Sequence, residues 1–562
     1  MEYKHYFAEA IYGVLAHTMP MDNILNLIEI PKFEHHGDLS FPCFELAKSL
    51  KKAPTLIALE ISEKINVPFI IKSESIGPYV NIFLRREVVG AQIVNDILNL
   101  GDKFGTHDFG SGKTIVIDFS APNIAKPFSM GHLRSTVIGN SLRLIAQKCG
   151  YGVIGINHLG DWGTQFGKMI VAYKKWGDVD AVKKNPIGEL LKLYVDFHEK
   201  ASVNPELDGE GRLWFKRLED KDEEAQRLWK WFRDESLSEF SRIYDLLGVE
   251  FDSFNGEAFY NDKMEVVVDL LEEKSLLIES DGAKVVSLED EDMPPCLIKK
   301  TDGATLYATR DLAAALYRQN TYGFDRALYV VGGEQRLHFQ QVFAVLKKMG
   351  YEWADGMAHI PFGLILKDGK KMSTRKGKIV LLDEVIEEAI TLAEAAINNK
   401  NPQLKNKKDV AKAIGVGAII FQDLKNGRLH NIEFCLESML RFEGETGPYL
   451  QYTYARARSI LRKADYLKQS AATFLTDDGS WIVIKALERF PQTVEKAFET
   501  YEPSLISQYL LDLAKAFNKY YGTVKILEGD EQLQARLNLL YATTIVIKEG
   551  LRLLGIKAPE EV

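Results

Sequence analysis

Lys126, Ser129, Gly131 and His132 crowd one short stretch of the chain, and together they suit an anion. A lysine and an imidazole supply donors, and a glycine lets backbone come close. The stretch follows a β-branched run, residues 114–117, that reads as a buried parallel strand. The run breaks at residues 120–123 (SAPN). Beyond Gly131 an apolar period near 3.6 begins with Leu133, Val137, Ile138, Leu142 and Ile145, which predicts a helix. Strand, loop and helix in that order open a doubly wound α/β domain. Its first loop offers unpaired N–H groups and the positive end of a helix dipole. A triphosphate beside His132 and Lys126 is the natural occupant. From spacing alone, a basic loop on a solvated edge reads the same way.

Two further loops carry related chemistry. Residues 153–157 (VIGIN) run into HLGDWGTQFG, a second strand–loop–helix. There Gly160 and Gly163 permit close backbone approach, and His158 and Gln165 could face a nucleotide. Trp162 reads equally as a pocket wall or as core. Further on, Lys371, Ser373 and Arg375 lie between Gly369 and Gly377, a cationic loop of the kind that closes over phosphates. Residues 110–114 (GSGKT) imitate a phosphate-binding loop, but His107 stands where its first glycine belongs. The segment also precedes a strand where it should follow one, so a turn is the better reading.

SAPNIAKPFSMGHLRST, residues 120–136, resembles the "HIGH" signature of class I aminoacyl-tRNA synthetases in its arginyl-tRNA synthetase form. KMSTRKG, residues 371–377, resembles the second signature, KMSKS. The likeness runs from the N-terminal segment to the closing RLLGIKAPEEV, with the motifs in the family's order. Two positions depart from it. Ser129 replaces the first histidine of HIGH, and Thr374 replaces the second lysine of KMSKS, followed by Arg375 and Lys376. In the family the lysine upstream of HIGH, here Lys126, is taken to cover the missing one.

The resemblance implies ATP-dependent activation of L-arginine and its transfer to the terminal ribose of tRNA(Arg). His132, Lys126, Lys371 and Ser373 would serve the chemistry. Ser129, Gly131, His132, His158, Met372, Ser373 and Arg375 would hold ATP, whose phosphates Mg²⁺ would bridge, with no permanently bound metal. Ala121, Pro122, Asn123, His132, Glu257, Tyr307, Asp311 and Gln335 match the family's arginine pocket. A guanidinium presents five donors in a fixed fork, so paired acceptors such as Glu257 and Asp311 suit it, and a lysine would leave acceptors unpaired. Asp311 could equally cap the helix LAAALYRQ. Tyr79, Asn81, Tyr449, Arg456 and Tyr520 match tRNA-contacting positions. Base–aromatic stacking is worth about 1–3 kcal/mol per base. Tyr79 and Tyr520 read as core residues just as well.

The implied fold is a Rossmann-like, doubly wound parallel-sheet catalytic domain with a helical insertion. A small α+β N-terminal domain precedes it and an all-α C-terminal bundle follows. The expected boundaries are 1–110 for the N-terminal domain and 111–380 for the catalytic domain, with the insertion at about 172–250. A helical connector at 381–440 leads to the anticodon-binding bundle at 441–562. In the insertion, Trp229, Phe232, Phe240, Ile243 and Leu247 line up as one helix face ending at Gly248, core more than stacking platform.

Composition agrees with an ordinary globular chain: 562 residues, 46% hydrophobic and 27% charged, with room for three to four domains. No stretch reaches the roughly 18 apolar residues of a membrane span, and the N-terminus lacks a clean apolar signal core. Cys43, Cys149, Cys296 and Cys435 are scattered, which fits a reducing cytoplasm and argues against a disulfide framework or zinc site. A net charge of −9 argues against a nonspecific nucleic-acid coat, though local basic faces can still contact RNA. A monomer is expected from the resemblance. Two rivals stand beside the active ligase. One is a tRNA-binding protein that has lost catalysis, motivated by Ser129 and Thr374. The weaker one is a nucleotidyltransferase with another acceptor.

Overall fold

In the computed structural model the β-branched run is the strand Thr114–Asp118, inside a four-stranded sheet. The structure describes every residue except 1, 17, 125, 127, 302–306, 373, 376–377 and 472. Of residues 2, 34, 187, 374–375 and 378–379 it describes the backbone only. The sheet order is Met357–His359, Arg326–Tyr329, Thr114–Asp118, Gly152–Ile156, and every pairing is parallel. The chain leaves Thr114–Asp118 for a neighbour on one side and returns on the other. The order therefore reverses between Thr114–Asp118 and Arg326–Tyr329, and ligands of open α/β sheets bind beyond the strand ends at such a point.

The apolar period is realised as the helix Met130–Lys148, buried along Leu133, Val137, Ile138, Leu142 and Ile145. It crosses the end of the first strand at Gly139, where a Cβ would stand 2.3 Å from the Phe119 ring. On another flank of the sheet, Leu312, Ala313 and Ala315 of Tyr307–Tyr322 and Val342 and Val345 of Arg336–Lys348 form one core with Val116, Ile156, Ala327 and Tyr329.

After the second strand come the helices Thr164–Trp176, Val179–Lys184, Pro186–Val203, Glu206–Glu219 and Glu223–Leu247 in succession. The first of these is the helix of the second strand–loop–helix. Phe232, Phe240, Ile243 and Leu247 are buried, and Gly248 caps the last helix at φ +68°. A three-stranded antiparallel sheet, Leu277–Ser280, Ala283–Val286 and Cys296–Lys299, follows that was not expected. Its first strand is mostly exposed, so its alternation is weak. The GSGKT segment is a turn, with Lys113 N–H donating to Gly110 O at 3.0 Å.

The chain divides into two compact units. One holds residues 106–452, 494–508 and 550–562, with the parallel sheet. The other holds residues 1–105, 453–493 and 509–549. Its small antiparallel sheet orders Leu39–Pro42, Tyr79–Leu84, Ile70–Ile76, and Pro54 opens the helix Pro54–Lys64. Asp38 accepts from Leu84 N–H and from Trp481 Nε1–H, both at 2.9 Å, which fastens the sheet to the helix Asp478–Glu488. The four cysteines form no disulfide, and burial pushes the Cys43, Cys149 and Cys296 thiols up to about 12. Among the described residues no helix is long and apolar enough to cross a membrane.

Candidate active site

The first loop is strained and heavily held. Ser120 and Ala121 both take left-handed backbone conformations, φ +74° and +48°, which cost energy unless the surroundings fix them. Ser120 N–H donates to Ser135 Oγ at 2.8 Å, and that hydroxyl donates to Val330 O at 2.6 Å. Ser120 Oγ also meets Tyr244 Oη at 2.8 Å and accepts from Thr136 at 2.9 Å. The bend is thereby tied to a neighbouring strand, the helix Met130–Lys148 and the last insertion helix. This buried hydroxyl network went unread in the sequence.

A cavity of about 220 Å³ opens beside this loop, at the switch point of the sheet. Ala121, Gly131, His132, Gly332, Lys371 and Met372 are among the residues that line it. Ser129 N–H donates to His132 Nδ1 at 3.2 Å. The neutral ring therefore carries its proton on Nε2, as a donor. Burial, joined by the Lys126 charge, lowers the His132 pKa to about 4. Lys126 itself lies 5.4 Å from the centre of the Tyr194 ring.

Lys371 ends a hairpin, Ile365–Lys367 against Lys370–Lys371, turned at Asp368 and Gly369 with φ +53° and +70°. Ser373 lies outside the described residues. Arg375 is described by its backbone only, in the strand Thr374–Arg375. The chain then returns to the first loop. Ser129 and Leu381 form an antiparallel bridge, Met130 N–H donates to Val380 O at 3.2 Å, and Leu382 N–H donates to Phe128 O at 2.9 Å. Two cationic stretches more than 230 residues apart thus share one backbone junction.

The carboxylates lie around the second loop. Asn123 bridges Gly160, where a Cβ would stand 2.2 Å from Asn123 Oδ1. Gly160 therefore makes room for the first loop. Glu257 N–H donates to Leu159 O at 2.9 Å, and Asp161 accepts from Ala258 N–H at 2.8 Å. Burial raises the Glu257 carboxyl to about 7; Arg310, 3.8 Å away, opposes this, and the charges of Asp161 and Asp311 add to it. The Asp311 charge is thus felt at Glu257. Burial would also raise Asp311, but the hydrogen bond and charge of His338 outweigh it, helped by His158 and Arg318, and hold the carboxyl below its usual value. His338 Nε2 stands 2.5 Å from Asp311 Oδ2.

Asp311 sits inside the helix Tyr307–Tyr322, past its first turn, so it is not a helix cap. Tyr307 opens that helix and is 66% exposed, with the Arg310 guanidinium 5.9 Å from its ring centre. Gln335 is exposed, and its neighbour Glu334 lines the cavity in its place. His158 belongs to the carboxylate side. It hydrogen-bonds Arg318 at 3.2 Å and stacks on Tyr260, while Arg318 pairs with buried Asp118 at 2.8 Å. His338 and Arg318 were missed in the sequence, which carries no local signal for either pairing.

The outlying positions separate. Tyr79 is half-buried, edge-on to the exposed Phe44, while Asn81 beside it is 2% exposed within the strand. Tyr449 is half-buried and its N–H donates to Thr446 Oγ1 at 3.1 Å. Tyr520 is 2% exposed, continuing the stripe of Leu513 and Phe517. Its ring has no face for a base, because helical spacing turns it inward. Tyr521 is 39% exposed, and Arg456 lies 5.4 Å from its ring centre.

Comparison with known families fits these geometries. Residues 93–436 match the family described as "tRNA synthetases class I (R), catalytic domain". Residues 1–84 match the "Arginyl tRNA synthetase N terminal domain", and residues 450–562 the "DALR anticodon binding domain". The chain is 62% identical to arginine–tRNA ligase 2 of Bacillus anthracis, covering all of both chains. It is 58% identical to the arginine–tRNA ligase of Enterococcus faecalis, again over both full lengths. Among solved structures, the arginyl-tRNA synthetase of Thermus thermophilus aligns over both full chains with a TM-score of 0.78 at 25% identity. The Plasmodium falciparum arginyl-tRNA synthetase shares the fold, with a TM-score of 0.81 at 24% identity over 100% of this chain and 98% of that one. The chain belongs to the class I arginyl-tRNA synthetase family.

Proposed function

We propose that this chain is an arginine–tRNA ligase that activates L-arginine with ATP and passes it to the terminal ribose of tRNA(Arg). One observation carries the reading: the Ser129–Leu381 bridge brings the chain just beyond the second signature stretch against the first, beside a cavity at the sheet's switch point. In activation the arginine carboxylate attacks the α-phosphorus, and the bond to pyrophosphate breaks. Positioning and charge stabilisation then carry the rate. His132, neutral with its proton on Nε2, donates to an α-phosphate oxygen as charge builds. Lys126, Lys371, Ser373 and Arg375 hold the outer phosphates, and Ser129, Gly131 and Met372 complete the ATP site. Among the described residues no cluster of three acidic, histidine or cysteine side chains could cage a metal. Mg²⁺ would come with the nucleotide and neutralise phosphate charge. In the second step a ribose hydroxyl attacks the arginyl carbonyl and AMP leaves.

Glu257 and Asp311 receive the guanidinium, Tyr307 walls it, and Ala121, Pro122, Asn123 and Gln335 hold the amino-acid end. His158 supports this side in place of the nucleotide. Tyr79, Tyr449 and Arg456 contact tRNA, with exposed Tyr521 in the role first given to buried Tyr520. Asn81 supports the strand that presents Tyr79. The four segments 1–110, 111–380, 381–440 and 441–562 divide the labour as N-terminal tRNA-contacting, catalytic, connecting and anticodon-binding domains. The enzyme works as a cytoplasmic monomer.

Arginine charging of purified tRNA tests the reading, alongside arginine-dependent ATP–pyrophosphate exchange with and without tRNA. Charging is expected, and exchange only when tRNA is present. No charging under any condition would leave the inactive tRNA binder standing.

The raised Glu257 carboxyl gives this reading a pH signature. Below about 7 the carboxyl takes a proton in the empty pocket, and a neutral acid no longer attracts a guanidinium. The KM for arginine is expected to rise about tenfold per pH unit between pH 7 and 5.5. His132 stays neutral across that window, so the KM for ATP should not follow. E257Q should flatten the arginine profile; a variant profile as steep as the native one would assign the effect elsewhere.

A further inference from the structure

We infer that His338 is a positioning residue for the guanidinium pocket, fixing Asp311 through the Nε2–Oδ2 hydrogen bond so that Oδ1 is the oxygen left for substrate. The inference rests on the arginine assignment above and extends it to a residue outside the signature motifs. The bond is 2.5 Å long, and both side chains are about three-quarters buried. The partners stand on different helices, Asp311 on Tyr307–Tyr322 and His338 on Arg336–Lys348. Each helix has its own root in the same core, through Leu312 on one side and Phe339 on the other. The His338 ring meets Phe339 edge-on at 5.3 Å, and Phe339 stacks on His359 at 4.9 Å. The imidazole is thereby held against a rigid wall.

A consequence for recognition follows. An oxygen that already accepts from His338 has less capacity left for a guanidinium N–H, so Oδ1 is the stronger acceptor toward substrate. The fork then uses two carboxylates, Asp311 through Oδ1 and Glu257 from the neighbouring segment. Two fixed acceptors at separate points match the planar spread of a guanidinium better than the single point charge of an ammonium. His338 therefore contributes to the choice of arginine over lysine without touching substrate.

The test compares H338L, H338Q and D311N in full-length enzyme by tRNA-dependent exchange with arginine and with lysine. H338L removes the donor, while H338Q places an amide N–H at similar reach. For H338L a rise in KM for arginine of about 10- to 100-fold is expected, as for a lost hydrogen bond to a charged group. Its KM for ATP should stay within about twofold, and its preference for arginine over lysine should fall. H338Q should recover most of the loss. H338L/D311N should be no worse than D311N alone, since the histidine acts only through Asp311. An H338L enzyme with native KM for arginine would overturn the inference alone. So would equal losses for arginine and ATP that H338Q does not repair. A native enzyme without arginine-dependent exchange would overturn the arginine assignment itself and this inference with it.

Discussion

D311N should lower kcat/KM for arginine about 10²- to 10³-fold, equivalent to ~3–4 kcal/mol, while the KM for ATP stays within about twofold. The expectation follows from where the carboxylate stands. Burial works against its charge, yet His338, His158 and Arg318 keep it ionised. An ionised, hydrogen-bonded and largely buried carboxylate is worth more to a guanidinium than a surface ion pair. The amide in D311N has nearly the same shape but brings two donors. One face then opposes either the His338 N–H or the substrate N–H groups, leaving donors unpaired in the pocket. Glu257 cannot compensate, because it supplies only one of the two acceptors that the guanidinium fork needs. The cavity between His132 and Lys371 is lined without Asp311, so ATP binding has no reason to change. Initial-rate exchange assays varying one substrate at a time would separate the two constants. Equal losses in both would give Asp311 a structural role. Global stability should barely move, since the Asp311–His338 pair remains about a quarter exposed.

The sequence disclosed elements more readily than partners. The β-branched residues at 114–117 and the 3.6-residue period from Leu133 named the first strand and helix, because burial on both faces and on one face leave distinct patterns. Gly248 marked a helix end for a backbone reason that needs no tertiary context. Resemblance made Tyr520 a candidate, but helical periodicity places it on the stripe of Leu513 and Phe517, where it is buried. Asp311 looked like a cap because nothing local says that its helix starts at Tyr307. What could not be read is pairing across the chain. Asp118 with Arg318, His338 with Asp311 and Arg134 with Asp423 each join residues with no local signal for the partner, and the last pair spans 289 positions. A pattern shows which face is buried; it does not show what that face meets.

R134M should destabilise the catalytic unit by about 3–5 kcal/mol at pH 8, the usual cost of leaving one member of a buried ion pair alone. Arg134 is 1% exposed, on the helix that begins beside His132. Its Nε donates to Asp423 Oδ2 at 3.1 Å, and its Nη1 to His430 O at 2.7 Å. Burial raises the Asp423 carboxyl to about 6 even though Arg134 opposes it. Without the guanidinium that carboxyl should rise further. A carboxyl raised in the folded state carries a penalty when ionised, and the penalty is relieved as pH falls through the folded pKa. The R134M deficit should therefore shrink by about 1.4 kcal/mol per pH unit on going toward pH 6. Urea unfolding at several pH values would measure it, and a pH-independent deficit would mean that lost packing, not the stranded charge, is responsible. R134M/D423L, which removes both charges, should recover most of the stability. It should not recover the rate. His430 precedes Asn431 and Ile432, which hold Leu364 and the strand Ile365–Lys367 in place, and that strand carries the hairpin ending at Lys371. Arg134 thus ties the His132 helix to the base of the second cationic loop, independently of the Ser129–Leu381 junction. With the His430 contact gone, exchange should stay about 10- to 100-fold down, because small misplacements of a positioned group are costly. A double variant restoring rate and stability together would reduce Arg134 to a space-filling role and leave the bridge at Ser129 as the connection that aligns the two loops.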